Sequence, residues 1–205
     1  MRIGIVVDGD AELRSLPLLA PRLLIGSNSV GKVLLAQLHP HAPSGNVARI
    51  ALKSVLILAA RGHDKVIVLI DQDDCALCPV ARAGQIALEL RDRIAGLCNV
   101  SIEVVVKTKS FESWLLSDPD ALVALSGRFR LSAADVRAIA PNKVDQTDAS
   151  RLMRKVIIGG YDKVGDAARI MGRVDIGRSA KNSRSFRRFL RVIGDTRYSA
   201  QSARP

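Results

Sequence analysis

The chain has 205 residues, 48% of them hydrophobic and only 3% aromatic, so its core must be built from Leu, Ile, Val and Ala rather than from rings. That length suits one medium domain, or one domain with a small helical annex, and no apolar run is long enough to suggest a transmembrane anchor. The formal net charge of +11 points to a polyanionic partner, nucleic acid first, and the densest Arg/Lys clusters fall in the last quarter.

Residues 3–7 are a short apolar run, followed by Asp8-Gly9-Asp10-Ala11-Glu12. We read a first strand, a tight acidic turn in which Gly9 supplies backbone freedom, and a helix opening near Asp10. Asp8 then stands at the carboxyl end of the strand. Glu12, one turn into the helix, either faces the same place or serves only the helix dipole. Residues 22–26 are expected to form a second strand. Gly26-Ser-Asn-Ser-Val-Gly31-Lys32-Val33 has the spacing of a phosphate loop, but Val33 stands where the metal-binding hydroxyl belongs. A Gly/Ser/Asn turn before a helix is the preferred reading, which leaves Lys32 available to a phosphate. His39-Pro-His41 is loop, and residues 46–61 form a helix closed by Gly62.

Lys65-Val-Ile-Val-Leu-Ile-Asp71-Gln72-Asp73-Asp74-Cys75 is the centre of the pattern. Its β-branched run reads as a strand buried on both faces, and ligands gather beyond the carboxyl ends of such strands. Alternation puts Asp71 and Asp73 on one side and Asp74 on the other. The acids read as a pair that a hard divalent cation would relieve, or as a solvated turn with a helix N-cap. Cys75-Ala-Leu-Cys78 has redox or zinc spacing, but Cys98 and the histidines supply no second paired motif. Three cysteines and no signal peptide indicate a reducing, cytoplasmic setting.

A helix over 75–97 and a fourth strand over 99–106 complete the alternation. The economical fold is α/β: a doubly wound, mostly parallel four-stranded sheet with helices on both faces and a C-terminal helical extension. Ser110 is expected to cap a short helix carrying Glu112 in its first turn, where the acid either faces Asp71 and Asp73 or stabilises the helix dipole. Short helices follow over 119–125, 132–140, 148–158 and 162–173. A last one, over 185–193, bears Phe186, Phe189 and Leu190 on one face beside Arg184, Arg187, Arg188 and Arg191. We divide the chain into a core (1–117), the extension packed on it (118–194) and a disordered tail (195–205).

With these acids in place, the chain resembles the Toprim (topoisomerase–primase) family, whose motifs are an acid followed by Gly after the first strand and Asp-x-Asp after the third. It is most similar to the bacterial domain-of-unknown-function family 4276. The resemblance is carried by Asp71-Gln-Asp73-Asp74-Cys75, by Phe111-Glu112-Ser-Trp114-Leu-Leu-Ser-Asp118-Pro-Asp-Ala-Leu122, and by Ser183-Arg-Ser185-Phe186-Arg-Arg-Phe189-Leu190. It implies that the first and third strands are adjacent, and that the chain is a nuclease hydrolysing phosphodiesters of DNA or RNA with Mg²⁺ or Mn²⁺. Asp71, Asp73 and Asp8 would hold the metal. Asp8 would also move a proton, with a pKa raised by its acidic neighbours. The family's usual first acid is Glu; Asp8 is one methylene shorter, and Glu12 or Glu112 would take up part of its task. Lys32, Lys109, Arg184, Arg187 and Arg188 are candidates for nucleic-acid contact. Relatives of this kind are associated with anti-phage defence, often beside an ATPase; the sequence leaves a homodimer open. The competing reading is a non-catalytic subunit that binds nucleic acid or the ATPase.

Overall fold

Residues Lys65–Asp71 (β3) are buried from Val66 to Ile70, as a strand covered on both faces must be. Ile67 and Leu69 point into one apolar cluster, and Val66, Val68 and Ile70 into a second on the opposite face. The computed structural model of the chain describes residues 1–72 and 77–199. Around β3 lie β1 (Arg2–Val7), β2 (Ser29–Leu35) and β4 (Ser101–Lys107), all parallel, in the order β2-β1-β3-β4. The first and third strands are therefore neighbours, as the resemblance implies.

Helices α2 (Ser44–Ala60) and α3 (Pro79–Ile94) cover one face through Val55, Leu58, Ile86 and Leu90. The other face is covered by α1 (Asp10–Leu19) together with the extension. That extension comprises α4 (Glu112–Leu116), α5 (Pro119–Val123), α6 (Ala133–Ile139), α7 (Ala149–Val156), α8 (Lys163–Met171), α9 (Ile176–Asn182) and α10 (Arg184–Ile193). Ile3 and Ile5 of β1 share one apolar cluster with Ile170 of α8 and Phe186 of α10, so the extension supplies half the covering of the sheet. The fold is α/β and doubly wound. No described helix is long and apolar enough to cross a membrane.

Four expectations need correction. The second strand is not 22–26: Ala20–Arg22 is a 3-10 turn, and Arg22 donates to the Met171 and Val174 carbonyls. Leu24 instead joins the C-terminal segment, its amide donating to Asp195 and its carbonyl accepting from Thr196. The Gly26–Lys32 stretch leads into β2 rather than a helix, so it has no strand–turn–helix geometry for a phosphate. Gly31 is needed for space, since a Cβ there would lie 2.4 Å from His63 Nε2, the atom that accepts from the Lys32 amide. Helix α9 lies where none is expected. Finally, Asp195–Ser199 is not a loose tail: Asp195 is fully buried and caps a 3-10 turn, Thr196–Tyr198, while residues 200–205 lie outside the described chain.

Candidate metal centre

Because β1 and β3 are neighbours, their carboxyl ends bring two acids together. Asp8 follows the last residue of β1, Asp71 closes β3, and the Asp71 amide donates to Asp8 Oδ2 at 2.9 Å. Glu12 reaches back from the first turn of α1 and is 2% exposed. Gly9 makes room for it, since a Cβ there would lie 2.6 Å from Glu12 Oε2. Gly9 has φ −141°, an extended conformation open to any residue, so this glycine is required for space and not for backbone freedom.

Lys107 closes the cluster, and the sequence reading passes over it. It is the last residue of β4, opposite Asp71 in the strand register, and its side chain is fully buried. Its Nζ lies 2.8 Å from Asp8 Oδ1 and 3.0 Å from Asp71 Oδ1, and it also donates to Glu12 Oε1. Burial opposes its charge, but Asp71, Glu12 and Asp8 outweigh burial and raise its pKa well above the ordinary lysine range. The ammonium stays charged.

Three carboxylates against one ammonium leave a surplus of two negative charges when all are ionised. The surplus registers on Asp71, whose pKa is pushed up to about 8 by burial, with Lys107 offsetting only part and Asp8 and Glu12 adding to the rise. For Asp8, burial also raises, but Lys107 and the Asp71 amide outweigh it and hold the carboxyl below its ordinary value. The raised group is thus Asp71 and not Asp8, because Asp8 has the firmer hydrogen bonds. Oxygens of Asp8, Glu12 and Asp71 lie within 4.8 Å of one another. Hard oxygen donors with surplus negative charge fit a hard divalent cation such as Mg²⁺.

Glu112 opens α4 and is 2% exposed, but it is not one of these three. Its Oε1 lies 3.5 Å from Lys163 Nζ and 3.4 Å from the Tyr161 hydroxyl, while its Oε2 is buried with no hydrogen-bond partner among the described residues. Burial depresses the Lys163 ammonium, yet Glu112, Asp71 and Glu12 together raise it, so Lys163 joins Glu112 electrostatically to the cluster. Burial and then Glu112 push the Tyr161 hydroxyl up. Tyr161 and Lys163 also escape sequence reasoning, because only the packing of the extension brings them here. Ser110 does not cap α4; its hydroxyl pairs with that of Ser150 at 3.4 Å.

A family model described as a domain of unknown function (DUF4276) matches residues 18–194. The chain belongs to the DUF4276 family. Searches of curated proteins and of solved structures return no match. The DUF4276 match takes in Asp71, Lys107 and Glu112, and begins after Asp8 and Glu12. Two stretches that carry the resemblance, 111–122 and 183–190, pack on each other inside it. Trp114 has Phe186 and Phe189 at 5.2 Å between ring centroids, and its Nε1 donates to Ser185 Oγ at 2.9 Å. Asp118, fully buried, accepts from Arg178 Nε at 2.7 Å and from the Asp175 amide at 2.7 Å. These two DUF4276 stretches are largely structural, with Glu112 the member that faces the acids.

Asp73 and Asp74 lie outside the described residues, as does Cys75. Lys32 is exposed in the middle of β2, on the opposite edge of the sheet from β4. Lys109 is exposed and donates to the Gln146 carbonyl at 3.0 Å. Arg184 is exposed and Arg188 half-buried. Arg187 is engaged within the fold, donating to the Ala180 carbonyl and, at 2.7 Å, to Asn142 Oδ1. Buried Arg82 of α3 was also overlooked; it donates to the Pro40 carbonyl and, at 3.4 Å, to that of Gln72, tying down the chain just after β3.

Proposed function

We propose that the chain is a metal-dependent phosphodiesterase of Toprim type, hydrolysing DNA or RNA. The observation that carries this reading is the convergence of Asp8, Glu12 and Asp71 oxygens within 4.8 Å at the carboxyl edge of a parallel sheet, where such folds bind ligands. Asp71 and Asp8 hold Mg²⁺ or Mn²⁺, and Asp73 follows two residues after Asp71 in the chain. When bound, the cation neutralises phosphate charge and lowers the pKa of its water. Asp8, held ionised by Lys107, is suited to accept a proton rather than deliver one. Lys107 keeps the three carboxylates together, and Lys163, partly exposed, offers a positive charge to a phosphate oxygen beside Glu112. The net charge of +11 supports a polyanionic substrate. By the same resemblance, the protein acts in the cytoplasm as an effector of anti-phage defence beside an ATPase.

A second reading has its own support. Lys107 already engages all three acids, which is what a retired catalytic site holding only a structural charge would look like. Incubation with plasmid and with single-stranded RNA, with Mg²⁺ or Mn²⁺, separates the two. Nicking or cleavage by the wild type that disappears in Asp71→Asn supports the nuclease. Binding without cleavage supports the non-catalytic subunit. Cleavage that survives Asp71→Asn refutes the proposed site.

A further inference from the structure

A cavity of about 210 Å³ opens on the far side of β4 from the acids. Its walls include Pro79 and Val80 at the start of α3 and Val106 of β4, with Arg184 and Arg188 of α10 also lining it. Val106 and Thr108, both lining residues, flank Lys107 in the chain, so the cavity adjoins the metal centre across the end of one strand. An apolar cavity of roughly 150 Å³ accepts a benzene ring. This one therefore has room for a single flat heterocycle, and not for a stacked base pair.

The charges are arranged to complement that guest. Arg184 and Arg188 are four residues apart and share one face of α10. The amino end of α10 is not free for an anion, because Asp145 fills it, accepting from the Arg184 amide at 2.7 Å and the Ser183 hydroxyl at 2.9 Å. Anion capture therefore falls to the two guanidinium groups. Arg187, on a different face, is tied to Asn142 and α9.

We propose that the cavity receives one nucleobase of a single-stranded nucleic acid, with the flanking phosphates on Arg184 and Arg188. The inference rests on the nucleic-acid reading of the neighbouring site and specifies its substrate: a strand with accessible bases. A duplex presents a base there only after unstacking it, which costs affinity.

The test is fluorescence anisotropy in EDTA, so that nothing is cut, with labelled oligo-dA and oligo-rA, their duplexes, and an abasic strand of equal length. The single strands are expected to bind about ten-fold tighter than either the duplexes or the abasic strand, as the loss of one stacked base requires. Val80→Trp, which fills the cavity, is expected to weaken single-strand binding about ten-fold at an unchanged unfolding midpoint. Arg184→Ala is expected to reduce the salt dependence. An abasic strand bound as tightly as oligo-dA overturns the proposal whether or not Val80→Trp folds, and so does a wild type that binds no strand. Cleavage is scored separately through Asp71→Asn, so a strand held by its base but never cut refutes the nuclease and leaves the base site standing.

Discussion

Lys107→Met keeps the length and apolar stem of the side chain and deletes its charge. At an effective dielectric constant of ~20, the ammonium gains about 6 kcal/mol from each of Asp8 and Asp71, at 2.8 and 3.0 Å. On the same scale, the carboxylates repel one another by at least about 3.5 kcal/mol a pair, since their oxygens lie within 4.8 Å. Desolvation consumes most of the gross attraction, so the measurable loss is that of stripping one partner from a buried ion pair, about 3–5 kcal/mol. Against a total stability of roughly 5–15 kcal/mol, that is a severe lesion. Urea unfolding at neutral pH in EDTA measures it directly. Saturating Mg²⁺ should return part of the loss, because the cation neutralises the same three acids; at a hundred times its Kd it contributes about 2.7 kcal/mol. A Lys107→Met protein within about 1 kcal/mol of wild type in EDTA would show that the ammonium does not hold the cluster together.

Gly9→Ala should displace the Glu12 carboxylate and weaken its bond to Lys107, lowering stability by about 1–3 kcal/mol and Mn²⁺ affinity with it; unchanged values in calorimetry and urea unfolding would refute the close approach. Trp114→Ala empties the contact between α4 and α10 and should cost about 3–5 kcal/mol, read as the shift in urea midpoint, with Trp114→Phe losing less because the ring remains. The Asp135 carboxyl is held down to about 2 by Lys155 and then by the Ser132 hydroxyl and amide. A depressed carboxylate stabilises the fold above its unfolded pKa of about 4 and loses that contribution as pH falls toward about 2. Asp135→Asn should therefore be less stable than wild type by about 1 kcal/mol at neutral pH, after screening of the exposed Lys155, and the gap should narrow near pH 3. A gap of equal size at both pH values would contradict it.

The strands that carry the site were legible because their chemistry is local. Residues 3–7 and 66–70 are apolar runs ending in Asp8 and Asp71, and nothing but a parallel sheet suits such runs alternating with helices. β2 was misplaced because Gly31 and Lys32 interrupt its apolar pattern, and the reason for Gly31 is His63, thirty-two residues away. Lys107 was illegible for a similar reason. A lysine at the end of a strand ordinarily reaches solvent, and only the register that sets it opposite Asp71 turns it inward. The same holds for Tyr161 and Lys163, which meet Glu112 through packing of the extension on α1. Arg187 shows the converse: a basic residue that reads as a backbone contact is held by a carbonyl and Asn142 within the fold.

The central claim is that Asp8, Glu12 and Asp71 form a cation site, and a Mn²⁺ titration followed by electron paramagnetic resonance tests it most directly. The account predicts a saturable Mn²⁺ site in the wild type that Mg²⁺ competes for, weakened at least about ten-fold in Asp71→Asn by loss of one charged ligand. Equal Mn²⁺ binding by wild type and Asp71→Asn, or none by either, would contradict it.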